Sequence, residues 1–338
     1  MGVGCGHPFT RFSAGTEPAN PRFSLMLAFV VRRLIATIPV LGMVAIFVFL
    51  MLRITPGDPA AIIAGDHANT QQITEIRERL GLNEPIHEQL VTWVGNLLQG
   101  NLGESFFFRA QVSDLIQQRV GPTLALAVST IVVTVLVALP LGVIAAWKHG
   151  TWVDRLVMAF SVIGFSVPVF VLGYLLIYVF AIRLGVFPVQ GYQSIAQGIG
   201  PFLHRLVLPS IALSVIYIAL IARITRASML EVLGEDYIRT ARAKGLSNRV
   251  VLLRHGLRNA AVPIVTVIGI GIALLIGGVV VTESVFNIPG LGRLTVDAVL
   301  ARDYPTIQGV ILVFSFAYVL INLLIDITYT LFDPRIRY

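Results

Sequence analysis

Crossing a hydrocarbon core of about 30 Å takes roughly 20 apolar residues in helical form. Along this chain, long runs free of Asp, Glu, Lys, Arg and His alternate with segments where those residues gather. The charge-free runs are Leu34–Leu52, Pro122–Trp147, Leu156–Ile182, Leu206–Ala222, Ala260–Thr282 and Tyr304–Ile325. Five of them are 19 to 27 residues long; the fourth, with Pro209 inside it, is 17. Such runs exceed a strand or an ordinary core helix, so the pattern predicts an all-α integral membrane protein with six transmembrane helices.

Six spans place both ends of the chain on one side. If that side is the cytoplasm, segments 1–33, 148–155, 223–259 and 326–338 are inside and hold 16 Lys and Arg in 91 residues. Segments 53–121, 183–205 and 283–303 are then outside, with 9 in 113. Leaving out the long 53–121 segment, where the charge rule is weak, the outside keeps 4 in 44. The excess of positive charge assigns both termini to the cytoplasm.

Leu34–Leu52 is longer than the apolar part of a signal peptide and is followed by no clear small-residue cleavage site. Residues 1–25 contain Gly, Pro and Ser without pattern, and Met26 opens the run Met-Leu-Ala-Phe-Val-Val-Arg-Arg. We read 1–25 as a disordered tail or an artefact of an upstream start site.

Between the runs, two segments are informative. In 53–121, Asn83 is placed to cap a helix with Pro85 in its first turn and its end at Gly100. Ile86, Leu90, Val94 and Leu97 recur there at helical spacing, giving one apolar face for the membrane surface or for packing on neighbouring loops. The loop 183–205, with Gly185, Pro188, Gly191, Gly198, Gly200 and Pro201, is expected to be irregular. Segment 223–259 carries Arg223, Arg226, Arg239, Arg242, Lys244, Arg249, Arg254 and Arg258 against Glu231, Glu235 and Asp236. Its pattern is helical from Asp236 to Lys244, breaks at Gly245 and is helical again over Asn248–Leu257. Anionic lipid would account for the positive charge. The apolar Val250, Val251 and Leu253 suit docking into a protein groove instead.

Composition narrows the chemistry. Of 338 residues, 56% are hydrophobic and 13% charged, with a net charge of +7 and a mean hydropathy of +0.83. That is about half the charge of a soluble domain. The single cysteine, Cys5, excludes a disulfide framework and cysteine-based metal clusters. A phosphate-binding loop needs Gly-Lys followed by Ser or Thr. The two lysines follow Trp147 and Ala243, so the chain has no such loop and is not itself the ATPase. The six histidines (His7, His67, His87, His149, His204 and His255) form no i,i+4 pair, and no metal site is expected. Gly164-Phe165-Ser166-Val167-Pro168 lacks the second glycine of a serine nucleophile elbow. The runs hold no ionisable residue, against an ion-coupled secondary carrier. They hold Ser129, Thr130, Thr134, Ser161, Ser166, Tyr174, Tyr178, Ser214, Tyr217 and Thr266, and small residues at Gly269, Gly271, Gly277 and Gly278 that let helices approach closely. The sum is a pathway-forming bundle without its own energy source.

The stretch Gly-Glu-Asp-Tyr-Ile-Arg-Thr-Ala-Arg-Ala-Lys-Gly-Leu, 234–246, resembles the cytoplasmic EAA loop of bacterial ABC importer permeases, in the wording of the dipeptide/oligopeptide/nickel branch, first-subunit type. Further matches are Met26–Arg33, Thr55-Pro56-Gly57-Asp58-Pro59 and Leu80-Gly81-Leu82-Asn83-Glu84-Pro85. Later come Pro289-Gly290-Leu291-Gly292-Arg293, Arg302-Asp303-Tyr304-Pro305 and Asp333-Pro334-Arg335-Ile336-Arg337-Tyr338. The resemblance covers 26–338, read as a single permease domain. Aligned on Gly245, the Glu-Ala-Ala positions fall on Arg239, Thr240 and Ala241. The family's downstream Ile-x-Leu-Pro falls on His255, Gly256, Leu257 and Arg258, so the glutamate and the proline are both replaced.

The resemblance implies a type I ABC importer permease core in a bacterial inner membrane, forming half of a translocation pathway. It implies a second homologous permease, two ATPase subunits that bind ATP and Mg, and an extracytoplasmic substrate-binding protein. The chain itself would need no cofactor. The coupling residues it implies are Tyr237, Arg239, Thr240, Ala241, Lys244, Gly245, Leu246, Val250 and His255, with Gly245 the hinge and Ala241, Leu246 and Val250 docking contacts. Peptides, including glutathione-like ones, are the expected cargo; nickel complexes or sugars are the alternative within the same architecture.

Overall fold

A computed structural model describes residues 21–54, 58–64, 69–79 and 81–332. In chain order the helices are α1 (Pro21–Ile54), α2 (Pro59–Ala64), α3 (Thr70–Arg79) and α4 (Ile86–Leu98). A two-stranded hairpin follows, β1 (Glu104–Ser105) and β2 (Ala110–Gln111), paired antiparallel. Next come α5 (Val112–Trp147), α6 (Trp152–Ser166), α7 (Val169–Leu176, running on as a π-helical stretch Ile177–Arg183) and α8 (Ile199–Leu233). The chain then forms α9 (Asp236–Ala243), α10 (Asn248–Val250, continued by π-helical Val251–Leu257), α11 (Ala261–Val285), α12 (Leu291–Leu300) and α13 (Tyr304–Phe332). Of the segment 1–25, residues 1–20 lie outside the described residues and 21–25 begin α1.

Among the described residues, five helices are long and apolar enough to cross a membrane: α1, α5, α8, α11 and α13. The third expected span is not one helix. α6 and α7 meet at a bend of 103° across Val167 and Pro168. Proline has no N–H for the helix ladder, and it disfavours helical backbone on the residue before it. Val167 accordingly takes an extended conformation, φ −87° and ψ 123°. Counting this pair as one span gives six.

The fourth span, shortest by its charge-free run, is the centre of the bundle. α8 is a 35-residue helix packed against α5, α6, α7 and α11. Arg205 and Arg223 end the apolar run in sequence, yet α8 continues past both. Arg205 Nη1 donates to the Gln190 carbonyl at 2.8 Å, and Arg226 pairs with Asp154. Residues 199–205, expected to be irregular, are therefore helical. Small residues set the packing distance: a Cβ added at Gly142 of α5 would lie 2.5 Å from Thr225 Cβ and 2.8 Å from the Ala222 carbonyl on α8. The main core joins Leu126 of α5 to Leu213, Tyr217 and Ile221 of α8 and to Val267, Leu275 and Val279 of α11. Within it a small apolar crevice is bordered by Thr134, Tyr217 and Gly271 among others.

α1 rests on α13, where Gln308 Nε2 donates to the Val48 carbonyl at 3.1 Å and Arg33 meets Asp326 at 3.0 Å. In α4 the expected stripe is only partly covered: Leu90, Val94 and Leu97 are half-buried and Ile86 is exposed. Pro85, not Asn83, occupies its N-cap position, with φ −56° and ψ 143°. As a proline it keeps Glu84 out of helical conformation, so the helix cannot start two residues earlier.

Candidate functional site

The segment that breaks at Gly245 folds as a two-helix hairpin between α8 and α11. α9 ends in a Schellman motif. The Gly245 N–H donates to the Arg242 carbonyl at 2.9 Å and the Leu246 N–H to the Ala241 carbonyl at 3.3 Å. That geometry needs a left-handed residue, and Gly245 has φ +77°. The inner side of α9 is held by Ile238 and Ala241 packed on Val251, with Leu233 beside them. Ile238 is fully buried. It was not among the sequence candidates, although its i,i+3 spacing from Ala241 was the available signal.

The nine candidates separate into two sides of this hairpin. Tyr237, Arg239, Thr240, Lys244, Gly245 and Leu246 are exposed; Val250 and His255 are half-buried. Ala241 is buried at 7%, so it braces the hairpin from within and is not an outward docking contact. Arg239 pairs with Asp236 one turn earlier, and Thr240 Oγ1 donates to the Asp236 carbonyl at 3.1 Å. Tyr237 Oη accepts from Asn259 Nδ2 at 2.9 Å; the same amide donates to the His255 carbonyl at 2.8 Å. The two arms are thus tied at both ends.

The second arm is seated on the bundle. A Cβ at Gly256 would lie 2.8 Å from Met229 Cε. Met229, Leu252, Ala260 and Ile264 form one apolar cluster with Val143 and Ala146 of α5. Gly256 falls on the unspecified position of the family's Ile-x-Leu-Pro, and the close seat on Met229 gives a reason for glycine there. Leu253 is left outward at 58% exposure, beside Arg249 and Arg254.

At the other end of α11, two sequence motifs acquire a physical cause. Glu283 is fully buried; its Oε1 accepts from Thr123 Oγ1 at 2.6 Å and its Oε2 from the Arg293 N–H at 3.0 Å. Thr123 Oγ1 also accepts the Leu291 N–H at 2.8 Å. A side chain at Gly290 would collide with that carboxylate, and one at Gly292 with the Val280 backbone, its Cβ 2.5 Å from Val280 Cα. The segment Pro289–Arg293 is therefore a backbone wrap around one buried acid. Asp303, 1% exposed, precedes α13 and accepts from Ser105 Oγ at 2.5 Å, Thr306 Oγ1 at 2.7 Å and the Phe106 N–H at 3.3 Å. It fastens the β-hairpin to the start of α13. Among the described residues, no group of three or more His, Cys, Asp or Glu is placed to hold a metal ion.

Long apolar helices around a central α8, with a braced two-helix hairpin projecting between two of them, define a helical membrane permease with the type I ABC importer fold. Residues 138–338 match the family described as binding-protein-dependent transport system inner membrane component, and residues 26–127 match its N-terminal companion. The chain belongs to that family. A probable peptide ABC transporter permease protein of Sinorhizobium fredii is 58% identical over 313 residues, covering 93% of this chain and all of the relative. The glutathione transport system permease protein of Escherichia coli is 46% identical over the same length and coverage. An inward-facing structure of the MetNI methionine ABC transporter superposes with a TM-score of 0.54 at 20% identity, covering 65% of this chain and 96% of that one. This last likeness shows the fold.

Proposed function

We propose that this chain is a peptide-importing permease subunit whose hairpin, the two arms between α8 and α11, docks on an ATPase. The observation that carries the reading is the two-sided hairpin: Ile238, Ala241 and Val251 brace it within, while Tyr237, Leu246 and Leu253 are exposed among basic side chains. Exposed apolar residues on a rigid, backbone-capped element suit a protein groove better than a lipid headgroup. Peptide cargo is supported by the relatives, one named for peptides and one for glutathione.

In this reading both termini and the hairpin are cytoplasmic, in agreement with the excess of Lys and Arg in those segments. A second homologous permease completes the pathway, two ATPase subunits bind ATP and Mg, and a binding protein delivers peptide from outside. Closure of the ATPases on ATP draws the hairpins together and shifts the bundle from inward-open to outward-open; hydrolysis resets it. The work done on the bundle equals the difference in hairpin binding between the two ATPase states. Gly245 is the turn on which α9 is aimed.

The test is purification of the tagged chain in mild detergent from its native cell, with mass spectrometry of what accompanies it. A second permease and ATPase subunits are expected, with cross-linking from Leu246→Cys to an ATPase. A chain that emerges alone or as a homodimer in several detergents overturns the assignment.

A further inference from the structure

Asp154 and Arg226 form a two-pronged ion pair at the hairpin end of the bundle. Arg226 Nε donates to Asp154 Oδ1 at 2.5 Å and Nη2 to Oδ2 at 2.8 Å. Oδ2 also accepts the Gly150 N–H at 3.0 Å. His149 Nδ1 lies 3.2 Å from Oδ2 and 3.0 Å from Arg226 Nη2. Asp154 is 4% exposed. Removing two charges from water offsets most of their attraction, so such a pair is a poor source of stability. What the paired fork supplies is fixed geometry.

Its place in the fold gives that geometry a use. Arg226 sits about two turns before the end of α8, which leads directly into α9. Asp154 sits in the first turn of α6, following an exposed turn, residues 148–152, that has no buried side chain of its own. Further along, Gly164 of α6 packs on α8, where an added Cβ would lie 3.0 Å from Val215 Cγ1. Beyond the 103° bend, Gly173 of α7 faces Val285 and Phe286, where an added Cβ would lie 3.2 and 3.3 Å away. α6 and α7 thus run from the hairpin end to the Glu283 end.

We propose that the Asp154–Arg226 pair is a positioning link for transport, obliging the bent α6–α7 pair to move with α8 and its hairpin. This rests on the reading of the hairpin as the ATPase dock. The test uses the assembled complex of this chain with its ATPases, in a Cys5→Ser background with spin labels at Trp152→Cys and Ala243→Cys, both exposed positions. The interlabel distance is measured with and without a non-hydrolysable ATP analogue, and accumulation of glutathione or a dipeptide probe is measured in proteoliposomes. With the pair intact the distance is unchanged by nucleotide. In Arg226→Met it shifts, and accumulation falls about tenfold per assembled complex, within the usual range of a coupling free energy. The charge-exchanged double variant, Asp154→Arg with Arg226→Asp, restores both. Because the distance is read only from assembled, labelled complexes, a loss of yield does not mask it. An Arg226→Met complex that keeps the constant distance and full accumulation overturns the link. Failure of ATPases to assemble on the unaltered chain overturns the docking reading instead.

Discussion

Gly245 is where a single atom tests the hairpin. Its φ of +77° is imposed by the cap that ends α9, and a Cβ there meets nothing within 4 Å. The whole penalty of substitution is therefore backbone conformation, about 1–2 kcal/mol for an L-residue held left-handed. That converts to roughly a 5- to 30-fold drop in the population of the closed turn. Asparagine tolerates the left-handed region and loses least; alanine is intermediate, and β-branched valine loses most. ATP-driven uptake should rank Gly, Asn, Ala, Val, while the amount of chain in the membrane fraction stays constant. Cross-linking from Leu246→Cys to the ATPase should fall in the same order, since the residue after the glycine is aimed by it. Wild-type uptake in Gly245→Val would refute the reasoning, and so would an Asn variant as impaired as Val. The second result would mean that the side chain, and not the handedness of the backbone, is what matters.

Three further outcomes follow from the packing. Asp303→Ala leaves the buried hydroxyls of Ser105 and Thr306 without their acceptor. At about 1–3 kcal/mol for each orphaned group, thermal unfolding in detergent should drop sharply, with Asp303→Asn much milder. Gly142→Val forces α5 and α8 apart at Thr225. It should cost at least the ~1–3 kcal/mol of ordinary overpacking, read as a lowered Tm; no change there would mean that the helices can slide past each other freely. Glu283→Ala removes the acceptor for Thr123 Oγ1 and the Arg293 N–H. Limited proteolysis should then cut within 287–293, whereas Glu283→Gln should stay resistant because its amide oxygen can still accept one of them.

The sequence by itself determined the class of this protein and the outline of its site. Runs free of charge report the cost of desolvation residue by residue, and that cost does not depend on what lies across the fold. The break at Gly245 was equally legible, because a left-handed cap is a local event bounded by five residues. Other features required the tertiary structure. Pro168 was visible in the third run, yet a 103° turn follows only because α6 and α7 each find separate neighbours on α8. The fourth run looked shortest because Arg205 and Arg223 bound it. Arg205 and, one turn past Arg223, Arg226 find partners at Gln190 and Asp154, 15 and 72 positions away, and a 35-residue helix runs through both apparent limits. Ala241 had the look of a contact residue and proved to be a brace, since its face is set by where Val251 arrives. Glu283 and Asp303 were charges at the edges of runs until Thr123 and Ser105, 160 and 198 residues distant, came to hydrogen-bond them. A charge can be buried when its partner is brought to it, and linear pattern carries no record of partners that only the folded chain brings together.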